Sequence, residues 1–109
     1  MLRVILIDSV TQEISEQNME GEMLEVLYKL IGCDMVERAH TINNTNEIYV
    51  DEEGLFKGHT TAFGFKGAHQ QFFVGKGVVV GVDHAAGDLA STTMTVAEVS
   101  KNVAFYCKP

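Results

Sequence analysis

The chain has 109 residues, 46% of them hydrophobic and only one of them proline, and it carries a net charge of -7. This composition excludes an intrinsically disordered chain and predicts one globular domain over residues 1–109. Eight Lys and Arg are too few for broad binding of duplex DNA, and no apolar run approaches the roughly 20 residues that span a bilayer. Asp8 interrupts the N-terminal apolar run, so we expect no signal peptide and therefore a cytoplasmic location. We also expect no membrane partner.

The first half of the chain is predicted to contain a strand, a long helix and a hairpin. The continuous apolar run "LRVILID" predicts a buried strand at residues 2–8. Apolar residues at helical spacing predict a helix over about residues 18–31, with Asn18 as its N-cap and Gly32 as its stop. Two β-type runs, "MVERAHTI" and "NEIYVDE", are separated by the turn-forming "NNTN" and predict a hairpin.

The second half is predicted to supply the centre of the sheet. The run "QQFFVGKGVVVGV" predicts two strands, or one strand broken near Gly75 and Gly77, with "VVVGV" as the central strand. Thr95 and Glu98 have the spacing of a capping box, which predicts a short C-terminal helix from about Val96. A strand through "NVAFYC" is the alternative for this segment.

The predicted fold class is therefore α+β. We expect a mostly antiparallel sheet of about four to six strands, with the helix over about residues 18–31 and the short C-terminal helix laid on one face.

Charge is distributed unevenly along the chain. Residues 1–56 carry three Lys and Arg against twelve carboxylates, whereas residues 57–76 carry three lysines and no carboxylate. The stretch "GLFKGHTTAFGFKGAHQQFFVGKG", residues 54–77, contains no Asp or Glu, and six of the ten glycines fall between residues 58 and 81. The chain thus has an acidic half and one local basic stretch.

This carboxylate-free stretch predicts a site for an anionic small molecule such as a nucleotide. Lysine and histidine supply positive charge, glycine lets the backbone approach closely, and a Phe ring can stack on a base. The candidate ligand-binding residues are Lys57, His59, Thr61, Phe65, Lys66, His69 and Lys76. Because one small chain makes only a shallow pocket, we expect a homo-oligomer with the site at a subunit interface. An exposed glycine-rich loop with solubilising lysines would give the same composition, so both interpretations stay open.

Known phosphate-binding motifs do not explain the stretch. The run "VGKGVVVG" lacks the first glycine of a P-loop and has Gly77 where the hydroxyl residue belongs. Its glycines at 75, 77 and 81 also miss the GxGxxG spacing by one residue.

No metal, cofactor or catalytic activity is expected. The candidate ligands His59, His69, Asp83 and His84 lack the local spacing that brings metal ligands together. No GxSxG or HExxH motif is present, and Cys33 and Cys107 are far enough apart to be read as free thiols. These observations favour a non-enzymatic binding protein.

The acidic half supports an alternative function. A negative surface could imitate DNA phosphates, so that the protein inhibits a basic host protein as a partial DNA mimic. The carboxylates concerned are Asp8, Glu13, Glu16, Glu20, Glu22 and Glu25, together with Asp51, Glu52 and Glu53. A solvated helix face would give the same pattern.

Several runs together resemble a known family. "IYVDEEGLFKG", "TTAF", "FVGKGVVVGVD" and "GDLASTTMTVAEV" are similar to family 3846 of the domains of unknown function, over residues 23–103. The resemblance implies that the chain originates from a phage, a plasmid or a bacterial mobile element. For a viral protein, the expected location is the cytoplasm of the host cell. It implies no activity and no site residues. Together with the carboxylate-free stretch, it leads us to expect an anti-defence protein that sequesters a nucleotide signal of the host.

Overall fold

Two antiparallel sheets and two short helices make up the computed structural model, which describes residues 1–54 and 57–107. The strands are β1 (Leu2–Asp8), β2 (Glu13–Met19), β3 (Val36–Asn43), β4 (Asn46–Asp51), β5 (Thr61–Phe65), β6 (Phe73–Val74), β7 (Lys76–Asp83), β8 (Asp88–Ala90) and β9 (Val103–Cys107), and the helices are α1 (Met23–Ile31) and α2 (Val96–Ser100). The larger sheet has the order β2-β1-β7-β4-β3, with β8 also paired to β7, and the smaller sheet has the order β6-β5-β9. The predicted α+β class and the mostly antiparallel pairing are confirmed. The prediction of one sheet of about four to six strands is wrong, because the nine described strands divide into a sheet of six and a sheet of three.

Strand β7 occupies the centre of the larger sheet, as the "VVVGV" run predicts. It pairs with β1 on one side and with β4 on the other, and Gly77 lies opposite both Ile7 and Val50. The predicted break before this strand falls at Gly75, whose φ of 78° is left-handed and favours glycine. Three consecutive valines, residues 78–80, are fully buried because both faces of the sheet are covered.

The larger sheet is the middle layer of the molecule. Since successive strand residues point to opposite faces, Val78 packs toward α1 while Val79 packs toward the smaller sheet. Helix α1 buries Leu27 on the first face, whereas α2 places Val99 and the smaller sheet places Phe63 on the second. The two helices therefore lie on opposite faces, and the expectation that both cover one face is wrong.

The predicted long helix over residues 18–31 is wrong at its start. Residues 13–19 form β2, which pairs with β1 in a register that sets Met19 opposite Leu2. Met19 and Met23 are four residues apart and imitate helical spacing, but Gly21, with a φ of 112°, separates the strand from the helix. Asn18 is consequently a strand residue, and the N-cap position belongs to Glu22, whose side chain makes no capping hydrogen bond.

The end of α1 and the start of α2 follow their sequence signals. Gly32 ends α1 in the left-handed conformation, with a φ of 80°. At α2, the Glu98 amide donates to the Thr95 hydroxyl at 3.1 Å, and the Thr95 amide donates to the Glu98 carboxylate at 2.9 Å. This is the predicted capping box. The helix ends at Ser100, so Val103 belongs to β9, and both the short helix and the alternative strand are present.

Two glycines of β7 allow other parts of the chain to pass directly over the strand. A Cβ at residue 77 would lie 2.5 Å from Cζ of Phe63, and a Cβ at residue 81 would fall on the carbonyl group of Ser91. Glycine is needed at both positions for packing. The run "VGKGVVVG" is thus a largely buried strand bordered by a turn rather than a phosphate-binding loop.

The predicted β3–β4 hairpin is confirmed, and β3 is irregular. Its pairing with β4 shifts between Arg38 and His40 and again between Thr41 and Asn43.

Within the described part of the chain, neither helix has the length and apolar character needed to cross a membrane.

Candidate functional site

The outer face of the smaller sheet is built by the alternation of β5. Phe63 and Phe65 point into the core and are at most 6% exposed, so the residues between and beside them face outward. Across the β5–β9 pair, Tyr106 lies opposite Ala62, which places the tyrosine on this outer face. Phe72 lies at the same surface, and both aromatic side chains are nearly half exposed, at 44% for Phe72 and 46% for Tyr106.

Gly64 makes room for the tyrosine ring. A Cβ at this position would lie 3.1 Å from Cε2 of Tyr106 and 3.0 Å from the backbone oxygen of Gln71. Both groups therefore pack closely on the backbone of β5, and a larger residue at 64 would displace them. The small residue in "TAFGF" thus fixes the position of the aromatic ring.

A concavity of about 430 Å³, here called the aromatic pocket, lies beside this ring. Its walls are mainly aromatic and aliphatic, with hydroxyl, amide and imidazole groups among them. The lining residues are His59, Thr60, Thr61, Ala62, Gln71, Phe72, Val74, Tyr106 and Cys107. An apolar pocket with a few polar groups is the usual form of a small-molecule site.

Thr61 and His59 are held at the pocket by the segment around Gly75. Ser9 donates its single hydroxyl proton to the Gly75 carbonyl oxygen, so in the 2.8 Å Ser9–Thr61 contact the Thr61 hydroxyl must be the donor. Thr61 therefore presents only an acceptor to a ligand. The His59 ring packs on the backbone of Gly75, where a Cβ would lie 3.2 Å from Cε1 of the imidazole.

A second concavity of about 300 Å³, here called the lysine pocket, adjoins the first. Both Lys66 and Lys101 line it, although they are far apart in the sequence. They come together because the Lys66 amide donates to the Asn102 carbonyl oxygen at 2.9 Å, which ties the end of β5 to the turn before β9. Within residues 1–54 and 57–107, neither lysine forms an ion pair. Gln71 and Tyr106 line both pockets, so the two form one continuous surface.

Some of the predicted site residues meet at this surface. His59 and Thr61 line the aromatic pocket, and Lys66 lines the lysine pocket. Phe65 also borders the lysine pocket, but its ring is buried in the core with its centroid 5.7 Å from that of His40.

The other predicted residues lie elsewhere. The Lys57 ammonium is 2.8 Å from the Asp51 carboxylate, a hydrogen bond that raises the pKa of the lysine. The Lys76 ammonium lies 3.8 Å from Asp8. His69 lines a third concavity of about 350 Å³ next to the irregular part of β3, together with His40. The structure therefore does not bring these three residues to the surface shared by the two pockets.

The third concavity contains a histidine with a perturbed pKa. Burial, followed by the nearby His69, lowers the pKa of His40. The two histidines do not extend into a metal site, because no group of three His, Cys, Asp or Glu suited to a metal ion occurs among the described residues.

Several residues of the surface were missed from the sequence. Gln71, Phe72, Lys101, Tyr106 and Cys107 all line one or both pockets. The alternation of small and aromatic residues in "TAFGF" was the available signal for an outward-facing strand surface. Nothing local in the sequence indicates that this strand pairs with residues 103–107.

The fold and its pockets define a small α+β protein whose smaller sheet carries a concave surface large enough for a small molecule. The chain belongs to the family described as a domain of unknown function, DUF3846, which it matches over residues 2–104. The resemblance seen in the sequence is confirmed, and the match begins 21 residues before the range 23–103 and ends one residue after it. No curated protein and no solved structure matches the chain.

Proposed function

We propose that this protein is a non-enzymatic binding protein for an anionic small molecule with a planar aromatic group, a description that fits a nucleotide. The observation that carries the proposal is the junction of the aromatic pocket with the lysine pocket at Gln71 and Tyr106. A nucleotide has the same division, with an aromatic base at one end and phosphate at the other.

The base would occupy the aromatic pocket. Phe72 and Tyr106 offer exposed rings, and stacking of a base on an aromatic side chain contributes about 1–3 kcal/mol. Thr61 presents an acceptor only, so the base edge that faces it must carry an N–H donor. The Gln71 amide can both donate and accept, which supports recognition of a base edge with mixed groups.

The phosphate would occupy the lysine pocket. Lys66 and Lys101 supply two ammonium groups to a chain whose net charge is otherwise strongly negative. Most of the protein surface is acidic and repels an anion, whereas the two lysines of the lysine pocket attract it. The charge distribution therefore directs the ligand to this end of the smaller sheet.

The biological role that we propose is sequestration. A phage or mobile-element protein of this kind would act in the cytoplasm of the host and bind a nucleotide signal of host defence, without converting it. This role extends the binding proposal and depends on it.

Isothermal titration calorimetry against mono-, di- and cyclic nucleotides tests the binding. We expect Tyr106→Ala to weaken the bound nucleotide at least 10-fold, which corresponds to about 1.4 kcal/mol and lies within the range of one base stack. The variant Lys66→Gln should weaken binding and reduce its dependence on salt.

Lys29→Gln is the matched control, because it removes the same charge from an exposed position on α1, across the larger sheet. Absence of binding by every nucleotide would refute the proposal. Equal losses in the Lys66 and Lys29 variants would show that only net charge matters and would exclude the lysine pocket as the phosphate site.

A second proposal, an acidic inhibitor of a basic host protein, is supported by the surface of β2 and the start of α1. Glu13, Glu16, Glu20, Glu22 and Glu25 are all exposed along this continuous segment. Asp51 does not add to the surface, because it is buried and paired with Lys57. Charge reversal of Glu20, Glu22 and Glu25 should abolish salt-sensitive capture of a basic protein. Undiminished capture by that variant would exclude this proposal.

A further inference from the structure

Four of the five edge strands in the described chain have features that discourage pairing with another chain. β2 carries Glu13 and Glu16, and β3 carries Glu37 and Arg38 and is irregular at two points. β6 has only two residues, and β8, which pairs only with β7, has three residues and carries Asp88. Charges, bulges and short length are the common ways in which proteins protect a sheet edge.

The fifth edge, β9, has none of these features. Its sequence "VAFYC", residues 103–107, contains no charge and no proline, and its pairing with β5 is continuous over five residues. Ala104, Tyr106 and Cys107 are exposed. No other strand of the described chain pairs with the outer side of β9. This edge is open to another strand.

Charge indicates which partner fits. The three strands of the smaller sheet contain no charged residue, whereas the whole chain carries a net charge of -7. Two copies repel each other over most of their surfaces, and the β9 edge is where a second copy meets the least repulsion. Lys66 and Lys101 lie next to this edge in both copies, so they reduce the local excess of negative charge where the two chains meet.

We propose that β9 pairs antiparallel with β9 of a second copy, about a two-fold axis at Phe105. In this register Ala104 of one copy lies opposite Tyr106 of the other, so a small residue faces a large one on the outer side. Val103 likewise lies opposite Cys107. The contact is self-complementary, as a two-fold interface requires, and it joins the two smaller sheets into one sheet of six strands.

The pairing also adds a wall to the pockets. β9 contributes Tyr106 to both pockets and Cys107 to the aromatic pocket, and the strand of the second copy lies directly beside these residues. The contribution of this added wall to ligand binding rests on the proposed function, whereas the pairing of the two β9 strands does not. Two five-residue strands form a small contact compared with the roughly 1,200–2,000 Å² of stable interfaces, so we expect a dimer that dissociates on dilution.

Disulfide formation tests the register. In a Cys33→Ser background, Val103→Cys should give a covalent dimer under oxidised glutathione, because residue 103 lies opposite Cys107 of the second copy. Ala104→Cys is the matched control, since its side chain points to the other face and should cross-link far less. Equal cross-linking of both variants, or none with Val103→Cys, would overturn the register.

Sedimentation tests the dimer without any engineered cysteine. The apparent mass of the wild-type protein should rise toward twice 12.0 kDa with concentration, and added salt should strengthen association by screening like charges. Ala104→Glu should keep the protein monomeric, whereas Ala85→Glu, the same change at an exposed loop position, should not.

A monomeric mass at every concentration, or equal effects of the two variants, would overturn the dimer. Calorimetry separates this result from the ligand proposal. A dimer that binds no nucleotide refutes only the proposed function, and a monomer that binds one refutes only the pairing.

Discussion

Gly77→Ala should destabilise the protein because the new methyl group would collide with a buried ring. The Cβ would lie 2.5 Å from Cζ and 2.9 Å from Cε1 of Phe63, a side chain that is fully buried. Overpacking of this kind costs about 1–3 kcal/mol, against which replacing glycine in a strand returns about 0.5–1 kcal/mol. We therefore expect a net loss of roughly 1–2 kcal/mol in the free energy of unfolding.

Phe63→Leu provides the partner for a double-mutant cycle. Leucine lacks the Cε and Cζ atoms with which the new methyl group collides. In the Phe63→Leu background, Gly77→Ala should then be neutral or slightly stabilising, which gives a coupling energy of about 1–3 kcal/mol.

Urea denaturation measures the cycle. With a slope of about 1–3 kcal/mol per molar urea, the loss in Gly77→Ala corresponds to a midpoint shift of roughly 1 M. Equal effects of Gly77→Ala in both backgrounds would refute the argument that the contact with Phe63 is the reason for glycine at this position.

Three further predictions concern the helix cap, the histidines and the thiols. Thr95→Ala should lower the free energy of unfolding by about 1 kcal/mol in urea denaturation, whereas Thr95→Ser, which keeps the capping hydroxyl, should change it little. Because burial lowers the pKa of His40 in the folded state, the unfolded chain binds more protons below about pH 6.5, and stability should fall as the pH drops through that value. His40→Gln should flatten this dependence, and an unchanged profile would contradict the assignment. Cys107 is exposed whereas burial raises the pKa of the half-buried Cys33 thiol, so mass spectrometry should show Cys107 reacting first with a maleimide at neutral pH. If the aromatic pocket holds the ligand, modification of Cys107 should also block nucleotide binding. Unimpaired binding would contradict the assignment of the aromatic pocket as the nucleotide site.

Local signals in the sequence predicted their elements well. The stop at Gly32, the capping box of Thr95 and Glu98, and the central strand β7 depend on neighbouring residues only, and all are confirmed. The predicted start of α1 was wrong. The four-residue spacing of Met19 and Met23 fits a helix, but it also fits a strand followed by a helix. The glycine between them decides the boundary, and its left-handed φ is not evident from spacing.

The candidate site was predictable only in part, because its two sides come from distant segments. The carboxylate-free stretch indicated His59, Thr61 and Lys66, which lie at the pockets. Lys101 and Tyr106 reach the same surface through pairing of β5 with β9, and no local pattern encodes that pairing. Lys57 and Lys76 were assigned as ligand-binding candidates by charge alone, and each lies beside a carboxylate from elsewhere in the chain.

The central position of β7 also has a consequence for biosynthesis. β1, β2, α1, β3 and β4 all precede it in the chain, yet β1 and β4 are neighbours only through β7. While the chain is being translated, the two early hairpins have no common partner until residues 76–83 have left the ribosome. Sheet assembly should therefore be a late event, and nascent chains that end before residue 76 should bind chaperones rather than fold.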